Sequence, residues 1–206
     1  MQTVCIDGLH YDLAAIEKNC WQRIINGSLQ KRNAFQTPVV ANAGASGINM
    51  RTVVLREAGA AKKQLSFYTD NRSGKWAELQ RNNRISWLFY DPLDRIQIRA
   101  GGIAALHHND ELADKAWSGT SITNRKNYLS EPAPSTETEH PVSGLPTEFE
   151  QADPTAEQTE AGRKNFGLVI TSIQWMEWLW LNNSCHRRAV FVYNEKESFT
   201  ANWLVP

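Results

Sequence analysis

The chain has 206 residues, 41% of them hydrophobic, and balances 22 Lys and Arg against 22 Asp and Glu. That length can bury a real core, and no apolar run approaches the roughly 20 residues of a membrane helix. The opening MQTVCIDGLHYDL has no basic stretch followed by an apolar one, so no signal peptide, no membrane partner and a cytoplasmic location are expected.

The neutrality is uneven. Residues 131–160 hold eight acidic residues and no Lys or Arg, which leaves 22 basic against 14 acidic elsewhere, a surplus of +8. Such a surplus suits an anionic ligand. Cys5, Cys20 and Cys185 are far apart, without CxxC pairing or metal-ligand spacing, and read as reduced thiols in or near the core.

Along the chain, residues 11–31 space Leu13, Ile16, Cys20, Ile24 and Ile25 at helical intervals, with Asp12 as the cap. The period then changes. Pro38 to Ala43 and Arg51 to Arg56 are β-branched runs around a GASGIN turn and read as a hairpin, and Gln64 to Thr69 supplies a third strand. SGKWAELQRN is a short helix with Trp76 and Leu79 on one face. Ile85 to Tyr90 and Arg95 to Leu106 are further strands, the second with a bulge or close approach at Gly101-Gly102.

Asn109 to Trp117 is helical, and residues 131–160, with five of the eight prolines, read as a long solvated, partly disordered loop. Part of Gly167 to Leu181, then Arg187 to Tyr193, close the chain with Asn202 to Pro206 beside them. Six or seven strands without a βαβ rhythm predict a mainly β fold, an antiparallel barrel with short flanking helices. GxGxxG and P-loop patterns are absent, which disfavours dinucleotide and nucleotide folds.

The chemistry concentrates in RTVVLR (51–56) and YTDNRSGK (68–75). Strand alternation points Arg51 opposite to Thr52 and Val54. A Thr/Asp/Asn/Arg/Ser/Gly loop opening a helix offers N–H groups and hydroxyls to an anion. Lys75 in the first helical turn opposes the helix dipole unless an anion neutralises it. Arg51, Ser73 and Lys75 therefore make a coherent phosphate site, and a solvated turn beside a basic strand edge is the alternative. Trp175, Trp178 and Trp180 alternate faces and read as packing rather than a base-stacking platform. His107-His108 reads as a surface dipeptide at a strand end rather than a metal or haem ligand pair, and no metal site is expected.

RTVVLR with FYTDNRSGK resembles the flavin-binding signature of the pyridoxamine 5′-phosphate oxidase family. Gln97 in RIQIRAGG, His186 and Arg188 in CHRRAVF, and the closing WLVP follow in the family's order from about residue 35 onward. The resemblance implies a single split-barrel domain over residues 1–206, working as a homodimer with FMN at the interface. It implies phosphate binding by Arg51, Ser73 and Lys75, with Arg72 in a supporting part. Thr52, Val53, Val54, Leu55, Tyr68, Thr69 and Gln97 would meet the ring and ribityl chain, and Arg188 the ring edge from the second subunit. Arg56, Ser121, Arg125 and His186 are the candidates near a small-molecule substrate, and no residue is singled out as catalytic.

The chain also departs from the pattern. The family's Ser-Arg-Lys is here Ser73-Gly74-Lys75, as in a less characterised branch with a TDxRSxK loop. The strand's closing Lys is Arg56, and the Arg two positions before the late His is Ser184. The flavin site looks intact and the pyridoxamine-phosphate site does not. The function implied is an FMN-dependent oxidoreductase, with a non-catalytic flavin- or haem-binding carrier or sensor as the alternative. Nucleic-acid binding has no supporting motif.

Overall fold

A computed structural model of the chain describes every residue except Met1, Asp7, Ser184 and 195–197. A short hairpin, β1 (Val4–Ile6) and β2 (Leu9–Tyr11), precedes α1 (Leu13–Leu29), whose cap Asp12 accepts from the Ala15 N–H at 2.8 Å. Then come β3 (Val39–Gly44), β4 (Gly47–Thr52), β5 (Glu57–Gly59), β6 (Gln64–Asp70), α2 (Gly74–Arg81), β7 (Arg84–Asp91) and β8 (Ile96–His107). Next are α3 (Glu111–Ser118), α4 (Ile122–Lys126), α5 (Thr147–Glu150), α6 (Ala156–Thr159) and a 3-10 turn at Glu160–Asn165. β9 (Phe166–Trp180), β10 (Arg187–Tyr193) and β11 (Phe199–Leu204) close the chain.

Every strand pair is antiparallel, and one sheet path runs β11-β10-β9-β8-β7-β3-β4, with β5 and β6 attached through β9. The path closes on itself. Beyond β4, the Val53 and Leu55 N–H groups donate to the carbonyls of Pro38 and Gln36, and the Arg56 N–H donates to Ser66 on β6. β3, β4, β6, β7, β8 and β9 thus form a ring, and β10 and β11 run off it. The split lies in β9, whose first half pairs with β6 and whose second half pairs with β10. The expected barrel is present, with more strands attached than the six or seven expected. The additional ones are β1, β2 and β5, three residues each and too short to show a period, and β11, which the sequence shows only as a tail beside the closing strands.

The hairpin also turns earlier than expected. Gly44 pairs with Gly47, so Ala45 and Ser46 alone make the turn and β4 starts at Gly47, whose φ of 137° favours glycine. Arg51 therefore lies near the end of β4 rather than at its start.

The Gly101-Gly102 irregularity falls where expected. Gly101 pairs with Trp175 and Gly102 with Ile173, so Gln174 is an extra residue on β9. Thr171 and Ile173 face the core before it, and Met176 and Trp178 after it. Trp175 lies on the outer face against Gly101, where an added Cβ would stand 2.5 Å from its ring.

Phe67, Trp87, Phe89, Ile98, Met176, Trp178 and Phe191 fill the barrel, and Ile16, Cys20, Trp21 and Ile24 of α1 join the same core. Cys20 is buried as expected, whereas Cys5 and Cys185 are exposed. A second cluster of Trp117, Tyr128, Phe166 and Leu168 covers the outside of β6 and β9. The acidic segment runs mostly exposed, yet it contains α5 and α6 and buries Phe149 and Thr159.

Candidate functional site

At one end of the barrel, β4, the end of β6 and the start of α2 bring Arg51, Thr69, Ser73 and Lys75 together. Lys75 Nζ donates to Thr69 Oγ1 at 2.9 Å and to Ser73 Oγ at 3.4 Å. Ser73 is buried at the N-cap of α2 and does not cap the helix, because its hydroxyl donates to the Asp70 carbonyl at 2.6 Å. The first N–H groups of the helix keep their donors free of a side-chain cap, and the dipole favours an anion there. Burial, then the charge of Arg51, push the Lys75 ammonium below the ordinary lysine range, against a smaller pull from Asp70 and Glu78. Two cations held close enough to depress one of them form an anion-binding pair.

Three residues that the sequence did not mark hold Arg51 in place. Its guanidinium donates to Asn42 Oδ1 and to the Asn49 carbonyl, and lies 3.7 Å from Glu78 Oε2. Glu78 accepts from Asn42 Nδ2 at 2.7 Å and from Asn49 Nδ2 at 2.5 Å. Asn42 is buried, and an Asn inside a strand among apolar neighbours was the one available signal.

Arg72 departs from its expected part. It grips the Asp70 carboxylate through Nε at 3.0 Å and through a terminal nitrogen at 2.7 Å, and donates to the carbonyls of Ser130 at 2.9 Å and Glu131 at 3.0 Å. Four of its five donors are thus used inside the protein.

On the outside of the barrel, beside the same strand, Arg56 lies with Cζ 4.9 Å from the Tyr68 ring centre, and its Nε is buried without a hydrogen-bond partner among the described residues. Burial raises the Tyr68 phenol pKa, Glu57 adds to this, and Arg56 and a hydrogen bond with Thr120 oppose it. Thr52 and Val54 are exposed on this face, Val53 is half-buried, and Leu55 turns into the core.

Ser121 and Arg125 both belong to α4 and its cap. Ser121 caps α4. Arg125 stacks over Trp117 at 4.8 Å, donates to the carbonyls of Trp117 and Ser118, and pairs with Glu160 at 2.7 Å. Its donors are used at the C-terminus of α3 and on Glu160.

Gln97 and Arg188 both pair across Leu179, so they sit together on β8 and β10, several strands from Arg51 along the sheet path. Arg188 donates to Glu177 at 2.8 Å, Arg99 approaches the same carboxylate at 3.4 Å, and the Arg188 Nε is buried without a hydrogen-bond partner among the described residues. His186 is exposed just before β10. Ser184 lies outside the described residues. His107 pairs with Asp110 at 2.8 Å, and the His108 ring bonds the Phe166 carbonyl and Asn71. No group of three metal-binding side chains occurs among the described residues, and no helix among them is long and apolar enough to cross a membrane.

Residues 17–108 match the family model described as pyridoxamine 5′-phosphate oxidase, FMN-binding domain. That span includes RTVVLR, YTDNRSGK and Gln97 and stops short of Ser121, Arg125, His186 and Arg188. The fold is similar to a pyridoxamine 5′-phosphate oxidase-related, FMN-binding protein from Nostoc punctiforme: TM-score 0.70, 19% identity, 92% of this chain and 97% of that one covered. It is also similar to PhzG from Burkholderia lata, solved with tetrahydrophenazine-1-carboxylic acid: TM-score 0.62, 18% identity, 83% and 82% covered. A Clostridium acetobutylicum protein related to general stress protein 26 follows, with TM-score 0.51, 13% identity, and 88% and 94% covered. No curated protein matches the chain.

Proposed function

Because residues 17–108 match the pyridoxamine 5′-phosphate oxidase FMN-binding domain, we propose that this chain is an FMN-dependent oxidoreductase acting on a small substrate. The single observation that carries the site assignment is the pairing of Arg51 with a depressed Lys75 beside Ser73 and the start of α2. An FMN phosphate supplies the anion that pair lacks. Thr52 and Val54 on the outer face of the strand, with Tyr68 beyond them, then line the way to the isoalloxazine ring. Bound FMN supplies a two-electron acceptor, and the protein supplies orientation, charge and access.

The proposal includes a homodimer. Ile48, Met50, Leu88, Tyr90, Val192 and Leu204 are exposed. Large apolar side chains left exposed on four strands of one sheet support a partner surface. In such a dimer Gln97 and Arg188 of one copy serve the flavin of the other, which accounts for their distance from Arg51 within a copy. Arg56 is the cation left for substrate, since Arg72 and Arg125 are committed internally, with His186 beside Arg188 as a second candidate.

That same commitment favours a second reading, a flavin carrier or sensor without turnover. Purified protein titrated with FMN, then assayed anaerobically for flavin bleaching by candidate reductants and for reoxidation, decides between them. Bleaching and reoxidation in repeated cycles support the enzyme. Tight FMN binding with no cycling supports the carrier. Unchanged FMN affinity in Arg51→Ala and Lys75→Ala overturns the site itself, since each is expected to lose about 1.5–3 kcal/mol, the scale of a charge-assisted hydrogen bond.

A further inference from the structure

A carboxylate stands among the cations of the anion site, and electrostatics alone would not put it there. Glu78 is 3.7 Å from Arg51, close to where a phosphate would sit, and at that range a like charge weakens anion binding. Its two oxygens, however, are both engaged. Oε2 accepts from Asn42 Nδ2 at 2.7 Å and Oε1 accepts from Asn49 Nδ2 at 2.5 Å. A primary amide has one acceptor end and one donor end. With its Nδ2 turned to Glu78, Asn42 must turn its Oδ1 to Arg51, and that is the contact seen. Asn49 completes the arrangement by offering its backbone carbonyl to Arg51 at 3.3 Å.

The backbone leaves room for this network. A Cβ at Gly44 would run into Asn49 Nδ2 and stand 2.9 Å from Glu78 Oε1. Asn42 is buried within β3, so the amide has little water to reorient in.

From this geometry we infer that Glu78 is a positioning residue for phosphate recognition: it fixes the amide orientation of Asn42, and through it the guanidinium of Arg51, while Asn49 holds the other oxygen of Glu78 in place. The inference rests on the reading of Arg51 and Lys75 as the phosphate site and deepens it. Glu78 is one turn along α2 from Lys75, so a single helix both supplies one cation and aligns the other. The alternative part for Glu78, plain charge compensation of Arg51, makes the opposite prediction for the isosteric amide.

Glu78→Gln separates the two. A Gln in that place accepts from one Asn and opposes the amide of the other donor to donor, so Arg51 loses its alignment while the site gains positive charge. Dissociation constants for FMN and for riboflavin, which lacks the phosphate, are measured by flavin fluorescence on wild-type and variant protein. The expected result is an FMN affinity about tenfold weaker with riboflavin affinity unchanged, the loss of roughly one aligned hydrogen bond. Unchanged or tighter FMN binding in the variant overturns the inference in favour of charge compensation. An equal loss for both flavins overturns it too, since the effect then lies outside the phosphate. If wild-type protein binds riboflavin as well as FMN, the phosphate site itself is misplaced, a separate failure. Should Glu78→Gln not fold, Asn42→Ala, which removes the amide through which Glu78 acts on Arg51, carries the same test: a loss for FMN alone is expected, and none at all overturns the inference.

Discussion

Lys75 Nζ reaches Thr69 Oγ1 at 2.9 Å across the loop that separates β6 from α2, which holds the ammonium inside the site rather than in solvent. Burial and Arg51 lower its pKa. In the unliganded protein the neutral lysine is therefore favoured over a range where the unfolded chain still binds the proton. Apo stability should rise as pH climbs through that range toward the ordinary lysine value, about 10.4. A bound phosphate reverses the shift, so FMN binding takes up a proton and its affinity should fall over the same range. Both slopes should vanish in Lys75→Met. Denaturant midpoints and FMN titrations across alkaline pH measure them, and parallel rather than opposed slopes in the wild type would place the titration elsewhere.

Arg125→Met should act on stability and spare the flavin. Arg125 joins the end of α3 to Glu160 and covers Trp117. Removing it leaves the carbonyls of Trp117 and Ser118 short of a donor, at a cost of about 1–3 kcal/mol. Chemical denaturation reads the loss, and FMN affinity should stay within about twofold, under 0.5 kcal/mol. A variant of normal stability with weakened substrate turnover would return Arg125 to the substrate.

The dimer should be read out by complementation. Arg51→Ala and Arg188→Ala each damage every site in their own homodimers. If Arg188 serves the neighbour's flavin, a mixed dimer carries one site with both residues intact and one with neither. Mixing the two purified variants under exchange conditions should restore high-affinity FMN binding to part of the sites. No restoration, in a sample shown by mass spectrometry to contain mixed dimers, would put Arg188 and Arg51 at the same flavin from the same chain.

Pyridoxamine 5′-phosphate should be oxidised slowly, with kcat/KM below about 10⁴ M⁻¹s⁻¹. A phosphate ester needs several cationic donors, while Arg125 is bound to Glu160 and Arg72 to Asp70. Ser184, where the family has an Arg, adds none. Steady-state assays with the pyridoxamine and pyridoxine phosphates test this, and a rate above that level would show another cation at work.

The parts of this molecule visible in the sequence were those whose cause is local. Asp12 three residues before Ala15, the alternation through Arg51, and the Ser73-Gly74-Lys75 turn each carry their reason within a few positions. The contacts of Arg72 and Arg125 were not legible because their partners lie far along the chain, at Ser130 and Glu131 and at Glu160, and an arginine in a motif looks the same whether its donors are free or spent. Glu78 was invisible for the opposite reason. A glutamate on a short amphipathic helix is what solvent exposure would also produce, and only the fold brings Asn42 and Asn49 to it. The terminal hairpin was missed because three-residue strands leave no period to count.

The extra residue at Gln174 sets how this fold can tolerate changes in chain length. Because the core-facing positions of β9 are odd-numbered before it and even-numbered after it, deleting one residue between Ile173 and Met176 would remove the bulge and leave a regular strand with Trp178 still inward, whereas deleting one elsewhere in β9 would turn one half of its core face to solvent. Insertions and deletions should therefore be purged from β9 away from the bulge, while the exposed stretch at 134–143 is free to lengthen or shrink. The strand that both halves of the barrel share is in this sense a ruler, and the acidic segment before it is where the lineage can afford slack.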